Sequence, residues 1–226
     1  MELWDSKSEP TRVSADAPGL RDRKKQRTRQ LIAETALELF LERGFDAVTI
    51  ADVARRAEVD VKTIYNYFPS KPDLVYHRLE AFGESLLDAI RSREQGESVL
   101  SAFARFLLTS RGLLADERAG ERLRAMNEML LASPTLRAHE EQVYAGFTAS
   151  LAALLAEETQ AEPNDVEPWV VAHALIGLHR SLVAYVRAGN RAGTPHTTLA
   201  RRMHAQAKKG LTALEKGLSN YGVRNR

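Results

Sequence analysis

The sequence predicts an all-α fold, with an N-terminal three-helix helix-turn-helix domain followed by a C-terminal helical bundle that forms a dimer interface. Capping residues and apolar positions between Thr49 and Lys71 match two short helices joined by a tight turn and followed by a third helix. The rest of the chain carries apolar residues at three- and four-residue spacing. No alternating run of Val, Ile or Thr indicates a strand.

The first short helix is expected to begin after Thr49. This residue can cap the helix, and Asp52 three positions later completes an Asp variant of the capping box. After a break at Glu58 and Val59, Asp60 is expected to cap the next helix.

This second helix spans residues 61–68 and ends before Pro69, because proline disfavours helical geometry in the residue before it. Ile64 and Phe68 lie four residues apart and can face a core. The remaining circumference carries no acid and holds Lys62, Thr63, Tyr65, Asn66 and Tyr67. Such a helix suits the major groove, where phosphates repel carboxylates and short polar side chains reach base edges. The alternative is a helical hairpin in a bundle whose aromatic residues fill gaps.

A third helix is expected to begin at Ser70, with Pro72 in its first turn and Asp73 completing a second capping box. It runs over residues 71–95, and its apolar stripe extends well beyond the three-helix domain. Its N-terminus and Lys71 together favour a DNA phosphate nearby.

Residues 27–74 resemble the N-terminal domain of TetR-family transcriptional regulators. The matching positions, in order, are Gly44, Phe45, Thr49, Ile50, Asp52, Val53, Ala54, Ala57, Val59, Thr63, Tyr65, Tyr67, Phe68, Ser70 and Lys71. The chain departs from the family pattern at Glu58 and Lys62, where Gly is frequent, and at Asp60, where Ser is usual. Because Asp60 keeps the capping chemistry, we expect these departures to alter the operator sequence and not the fold.

The resemblance implies a cytoplasmic bacterial homodimer that binds a palindromic double-stranded DNA operator. We expect Lys62, Thr63 and Asn66 to face bases, and Thr49, Tyr65, Tyr67 and Lys71 to face phosphates. Residues 21–29 form a basic run, including Arg27, that can neutralise phosphates or remain a solvated tail. A supporting helix over residues 31–43 follows and ends at Gly44 in a left-handed cap.

Composition is consistent with a globular protein that does not cross a membrane. Of the 226 residues, 44% are hydrophobic and none is Cys, which excludes disulfides and thiolate metal sites. We divide the chain into a flexible tail at residues 1–20, a head at residues 21–70, and a ligand-binding and dimerisation body at residues 71–226. His173, His179 and Arg180 interrupt the most apolar segment, residues 169–186, which argues against a bilayer span.

The body is predicted to be helical throughout. Its helices are expected over residues 98–118, 120–131, 134–158, 166–188 and 198–221. The fourth is apolar around most of its circumference and should be buried on more than one side. The fifth carries an apolar stripe, and two such helices from each of two chains would form a two-fold four-helix interface. Burial inside one chain is the alternative.

Apolar and polar residues between the head and the interface are candidates for a ligand pocket or for ordinary core packing. They are Phe103, Phe106, Leu107, Met126, Met129, Leu130, Tyr144, Phe147, His173 and Arg180. Arg180 would meet an anionic effector or pair with an acid such as Glu128 or Glu140. Residues 129–188 are similar to the C-terminal domain of mycofactocin-type TetR regulators, which implies a hydrophobic or acyl-type effector such as an acyl-CoA or a fatty acid.

The predicted function is a ligand-responsive transcriptional repressor. It is not predicted to be an enzyme, and no cofactor or metal is expected. Di-metal oxidases built on helical bundles need Glu-x-x-His motifs, and no His here follows an acid by three positions. The alternatives are an architectural DNA-binding protein without effector and an all-α enzyme whose site is assembled across the fold.

Overall fold

A computed structural model describes residues 19–109 and 119–218. Within these ranges the chain forms nine helices and no strand, which confirms the predicted all-α fold. The helices are α1 (Leu20–Arg43), α2 (Ile50–Arg56), α3 (Val61–Tyr67), α4 (Asp73–Arg91), α5 (Val99–Thr109), α6 (Ala119–Ala132), α7 (Pro134–Thr159), α8 (Glu167–Arg191) and α9 (His196–Leu218). The predicted flexible tail, except for its last two residues, and the predicted helical residues 110–118 and 219–221 lie outside the described residues.

Helix α1 begins eleven residues before the predicted position 31, at Leu20. The basic run at residues 21–29 is therefore the first part of a helix and does not precede one. Lys, Arg and Gln are good helix formers, and no Gly or Pro interrupts the chain between Gly19 and Gly44. Gly44 has a positive φ of 84°, but its ψ of 148° lies outside the left-handed helical region that was predicted.

Helix α2 has the predicted capping box. The Thr49 side chain accepts a hydrogen bond from the Asp52 backbone N–H, and the Asp52 carboxylate accepts one from the Thr49 backbone N–H at 3.0 Å. The helix ends at Arg56 with Ala57 as its C-cap, and Glu58 follows with a φ of 54°. Glycine adopts this left-handed conformation more readily than other residues do.

The starts of α3 and α4 differ from the predictions. Asp60 occupies the capping position of α3, but its side chain makes no capping hydrogen bond. Helix α4 begins at Asp73, three residues after Ser70. Residues 71–72 form a turn instead, and Val75 N–H bonds to Pro72 O at 2.8 Å. One half of the second capping box is present, since Ser70 N–H donates to the Asp73 carboxylate at 2.6 Å.

The apolar residues form two clusters. The head cluster contains the buried faces of α1, α2, α3 and the start of α4, and it also takes in Met129 and Leu130 of α6 and Leu136 of α7. The body cluster joins the second half of α4 to α5, α7, α8 and α9. The head thus packs directly on α6 and α7, and α4 belongs to both clusters.

Helix α4 approaches α7 closely at Gly83. A Cβ atom added there would lie 2.2 Å from the Phe147 ring, so only glycine permits this contact without a shift of the ring. Helix α4 therefore connects the head to the body through close packing as well as through the chain.

Helix α8 buries one side within the chain and exposes the other. Trp169 is 47% exposed and Val170 is 60% exposed. The prediction that this helix is buried on more than one side is therefore wrong for a single chain. The apolar stripe of α9 is different, because Leu199, Ala207 and Leu211 are buried within the same chain.

Helix α8 is also long and apolar enough to cross a membrane by length and composition, a test that core helices of soluble proteins pass too.

Candidate nucleic-acid interface and ligand site

Helix α3 separates a buried side from a polar side. Ile64 is fully buried in the head cluster, as predicted, and Phe68 at the end of the helix is 1% exposed. Lys62 and Asn66 are exposed, and Tyr65 is 51% exposed. The side of α3 that faces solvent therefore offers an ammonium group, an amide and a phenol, and α3 itself contains no carboxylate.

Thr63 and Tyr67 are half-buried at the edges of this polar side. Tyr67 also packs against the head cluster, which fixes its ring. Thr63 lines a hollow beside the turn between α2 and α3, together with Arg55 and Glu58. We call Lys62, Thr63, Tyr65, Asn66 and Tyr67 the α3 face.

Thr49 lies at the exposed start of α2, where its hydroxyl donates to Asp52 Oδ2 at 2.6 Å. Hydrogen bonds from Thr49 hold the pKa of Asp52 below its usual value, and Asp52 also pairs with Arg55. The carboxylate is thus charged and engaged within α2, which leaves the α3 face free of competing acids from this helix.

Lys71 lies over two aromatic rings. Its Nζ atom is 4.2 Å from the centroid of Phe45 and 5.7 Å from that of Phe40. Burial lowers the pKa of Lys71, while the carboxylate of Asp46 opposes this shift. The rings hold the ammonium group in a defined position just before α4.

The basic part of α1 is largely solvent-exposed. Arg27 is exposed, whereas Arg29 is half-buried, with its guanidinium carbon 5.4 Å from the Phe68 ring centroid. Arg29 was not singled out in the sequence analysis, because its contact with Phe68 joins residues that are far apart in the chain. These two arginines place positive charge on the same domain as the α3 face.

Eight of the ten candidate pocket residues are divided between the two apolar clusters. Met126, Met129 and Leu130 belong to the head cluster, and Phe103, Phe106, Leu107, Tyr144 and Phe147 belong to the body cluster. His173 is exposed, and its ring nitrogen lies 2.8 Å from Trp169 O. Their role in ligand binding stays a prediction.

Arg180 pairs with Glu141 at 2.5 Å and lies 4.8 Å from the Tyr144 ring centroid. Glu140, suggested as its partner, instead forms two hydrogen bonds with Arg187 at 2.5 and 2.9 Å. These pairs join α7 to α8. Arg180 therefore reaches the edge of the body cluster while its charge is partly solvated.

An aromatic group inside the body cluster holds two buried polar atoms. The His179 ring stacks on Phe82 at 4.2 Å and lies 6.0 Å from Tyr144, and Phe106 lies 5.2 Å from Phe82. His179 Nε2 and the Tyr144 hydroxyl are buried and have no hydrogen-bond partner among the described residues. We call Phe82, Phe106, Tyr144, Phe147 and His179 the aromatic cluster.

Burial controls the ionisation of both polar residues in the aromatic cluster. It lowers the pKa of His179 to about 4 and raises the pKa of Tyr144 to about 12. At neutral pH the imidazole and the phenol are therefore both uncharged. His179 was noted in the sequence only as a polar interruption, because its ring partners come from other helices.

The fold and the α3 face define a helix-turn-helix protein, and comparison with known families agrees with this class. Residues 32–77 match the model of bacterial regulatory proteins of the tetR family, and residues 97–212 match that of the MftR C-terminal domain. The chain belongs to the TetR family of transcriptional regulators.

Two relatives illustrate how far the sequence similarity extends. The putative mycofactocin biosynthesis transcriptional regulator MftR of Mycobacterium tuberculosis is 31% identical over 72% of this chain and 80% of its own length. The transcriptional regulator TcmR of Streptomyces glaucescens is 35% identical, but the match spans only 46% of each chain. The similarity to MftR therefore extends into the body.

Two solved structures share the fold. SmeT in complex with triclosan has a TM-score of 0.53 and 20% identity, with 83% of this chain and 91% of SmeT covered. NalD, the secondary repressor of the MexAB-OprM multidrug efflux pump in Pseudomonas aeruginosa, has a TM-score of 0.52 and 23% identity, with 85% and 98% covered. At these identities the likeness concerns the fold alone.

Proposed function

We propose that the protein is a repressor that binds a palindromic operator as a homodimer and is released by a small hydrophobic or acyl-type effector. The observation that carries this proposal is the α3 face, a set of exposed and half-buried side chains without a carboxylate, on a short helix whose opposite side buries Ile64 completely. A rigid helix with exposed Lys and Asn side chains has the shape and the hydrogen-bonding groups to read the major groove.

Within this function Lys62, Thr63 and Asn66 contact bases and thereby set the preferred sequence. Thr49, Tyr65, Tyr67 and Lys71, together with Arg27 of α1, contact phosphates and position the head. The rings of Phe40 and Phe45 support the role of Lys71, because they fix its ammonium group near the start of α4 at little cost in side-chain entropy.

The homodimer follows from the outer side of α8. Gly177, Ser181, Ala184 and Ala188 lie on one side of this helix, and no atom lies within 4 Å of a Cβ atom added at Gly177. Together with the exposed Trp169 they form a surface of mostly small side chains, which also carries the exposed His173 and Arg180, and a second copy of α8 can approach it closely. We call Trp169 and the four small residues the α8 face. Two heads held in this way would contact half-sites about 34 Å apart.

The effector is assigned to the body, at the aromatic cluster. His179 Nε2 and the Tyr144 hydroxyl are neutral polar atoms among aromatic rings, so they suit a mainly apolar ligand with one or two hydrogen-bonding groups. Arg180, next to Tyr144, would meet an anionic group of an acyl-type ligand. Because α4 supplies Phe82 and also leads to the head, a ligand that prefers one position of α4 would change the spacing of the heads.

The phosphate role of Lys71 is tested by the salt dependence of DNA binding. We expect Lys71→Ala to weaken binding to all sequences and to reduce the slope of log affinity against log salt by about 1, because one phosphate contact is lost. Fluorescence anisotropy at several salt concentrations measures this slope. Lys208→Ala, an exposed lysine on α9, is the matched control. An unchanged slope for Lys71→Ala would remove Lys71 from the interface.

The effector role is tested by thermal shift against acyl-CoAs, fatty acids and drug-like cations. A ligand that is present at a concentration 100 times its Kd stabilises the folded protein by about 2.7 kcal/mol. His179→Phe should lose the stabilisation by the best ligand, whereas His204→Gln, an exposed histidine on α9, should retain it. If none of the ligand classes stabilises the protein, an architectural DNA-binding protein without effector becomes the better explanation.

A further inference from the structure

We infer that Asp73, Glu80 and His139 form a binding site for one divalent transition-metal ion between α4 and α7. One ligand atom from each side chain lies within 4.8 Å of the other two. Metal–ligand bonds of about 2.0 to 2.2 Å place the nitrogen and oxygen ligands of one ion about 3 to 4 Å apart. The three groups are therefore already gathered around one point. Within residues 19–109 and 119–218 no other His, Asp or Glu trio meets this spacing.

Two helices position the ligands. Asp73 is the first residue of α4, and one oxygen of its carboxylate is fixed by the Ser70 N–H at 2.6 Å. Its other oxygen, Oδ1, lies 2.8 Å from His139 Nε2 on α7. Glu80 lies seven residues after Asp73, so both carboxylates project from the same side of α4. The site thus spans two helices that the chain brings together from 66 positions apart in sequence.

The charges favour a divalent cation. Two carboxylates carry a charge of about −2, which one divalent ion neutralises, and an imidazole coordinates a metal in its neutral form. The carboxylates of Asp73 and Glu80 lie close together, which gives this point a negative potential. Arg29 is the nearby cation, but its guanidinium is 3.8 Å from Glu80 and about one-third exposed, so it offsets this potential only in part. Glu84 adds further negative charge.

His139 has a nitrogen available for coordination. Its Nε2 atom is buried and close to Asp73 Oδ1, but the two are not aligned for a hydrogen bond. The ring is held in place by Tyr76, whose centroid lies 5.5 Å away and whose hydroxyl donates to Leu136 O at 2.9 Å. A donor set of one imidazole and two carboxylates suits Zn²⁺, Co²⁺ or Mn²⁺ better than Ca²⁺, which prefers oxygen ligands alone.

A bound ion would hold the start of α4 against α7. Because α4 follows the α3 face after five residues, this clamp would fix the position of the head on the body. The consequence for operator affinity rests on the proposed function, whereas metal binding itself does not.

Metal uptake is tested on the untagged full-length protein by titration with Co²⁺, followed by its visible absorption, and by competition with Zn²⁺. We expect one ion per chain and a higher Tm in its presence. Glu80→Gln and His139→Gln should each lower the affinity at least tenfold and lose the rise in Tm. Glu38→Gln, an exposed acid on α1, and His204→Gln on α9 are matched controls that should bind as the wild type does.

Three results would overturn the site: no uptake by the wild type, uptake unchanged in both Glu80→Gln and His139→Gln, or an equal loss in the two controls. A DNA-binding titration with and without Zn²⁺ separates this inference from the proposed function. Stoichiometric metal binding by a protein that binds no DNA would support the site and reject the repressor.

Discussion

Helices α3 and α8 each bury one side and expose the other, but their exposed sides differ in chemistry. The α3 face carries Lys62, Tyr65 and Asn66, which water solvates well. The α8 face carries Trp169, Ala184 and other small or apolar residues, which gain free energy when they are covered. Exposure alone thus does not identify a partner. The polar side suits nucleic acid, and the apolar side suits a second copy of the chain.

The largest effect is expected from a charge placed on the α8 face. Ala184→Arg would bring two like charges together across a two-fold interface, where such a contact costs several kcal/mol. We expect the dimer dissociation constant to rise at least a hundredfold, which corresponds to about 2.7 kcal/mol. Analytical ultracentrifugation over a range of concentrations measures this change.

Ala81→Arg, an exposed alanine on α4, is the matched control for Ala184→Arg and should leave the association unchanged. If Ala184→Arg remained as dimeric as the wild type, the second chain would have to bind elsewhere. The α8 face would then not be the dimer interface, and the difference in partner between the α3 and α8 faces would not hold.

His179, on the buried side of α8, should make the free energy of unfolding depend on pH. The folded-state pKa of His179 is about 4 and its ordinary value is 6.5, so the imidazole binds a proton more readily in the unfolded chain. The free energy of unfolding therefore carries no penalty from His179 above pH 6.5. It decreases by about 3 kcal/mol in total as the pH falls from 6.5 toward 4. His179→Phe should lose less stability over this window in urea unfolding at pH 7 and pH 4.5.

His173→Gln, on the exposed side of α8, provides the comparison for His179→Phe and should keep the pH dependence of the wild type. Equal losses of stability in the wild type and His179→Phe would mean that His179 is solvated, and the aromatic cluster would not be closed to water.

The parts of the fold that depend on residues close together along the chain were predictable from the sequence. The capping box of Thr49 and Asp52 and the buried Ile64 and Phe68 follow from spacing alone, and the structure confirms them. The start of α1 was mispredicted, because a run of Arg and Lys fits both a solvated tail and a helix.

Features that depend on distant residues were not predictable. Lys71 lies over Phe45, which is 26 positions earlier, and His179 stacks on Phe82 from another helix. Spacing along one helix indicates which residues share a side, but it does not indicate which helix packs against that side. For the same reason the candidate pocket residues were chosen by type, and the structure distributes eight of the ten between two clusters.

The smallest effect is expected in the turn that leads to α3. Glu58 has a φ of 54°, a conformation that costs less for glycine than for other residues. Glu58→Gly should therefore raise the free energy of unfolding by about 0.5 to 1 kcal/mol, as measured by urea denaturation at neutral pH. Glu58→Ala removes the same charge but keeps the strain, and it should give no such gain. A similar gain from both changes would assign the effect to charge.

The central claim, that the α3 face reads sequence, is tested most directly by selecting bound DNA from a random pool with the wild type, Thr63→Ala and Asn66→Ala. We predict that the wild type selects an inverted repeat and that each variant relaxes the preference at particular base positions only. The cost there should be about 1 to 3 kcal/mol. Selection of the same sequence with the same preference by all three proteins would contradict the assignment of these residues to the bases.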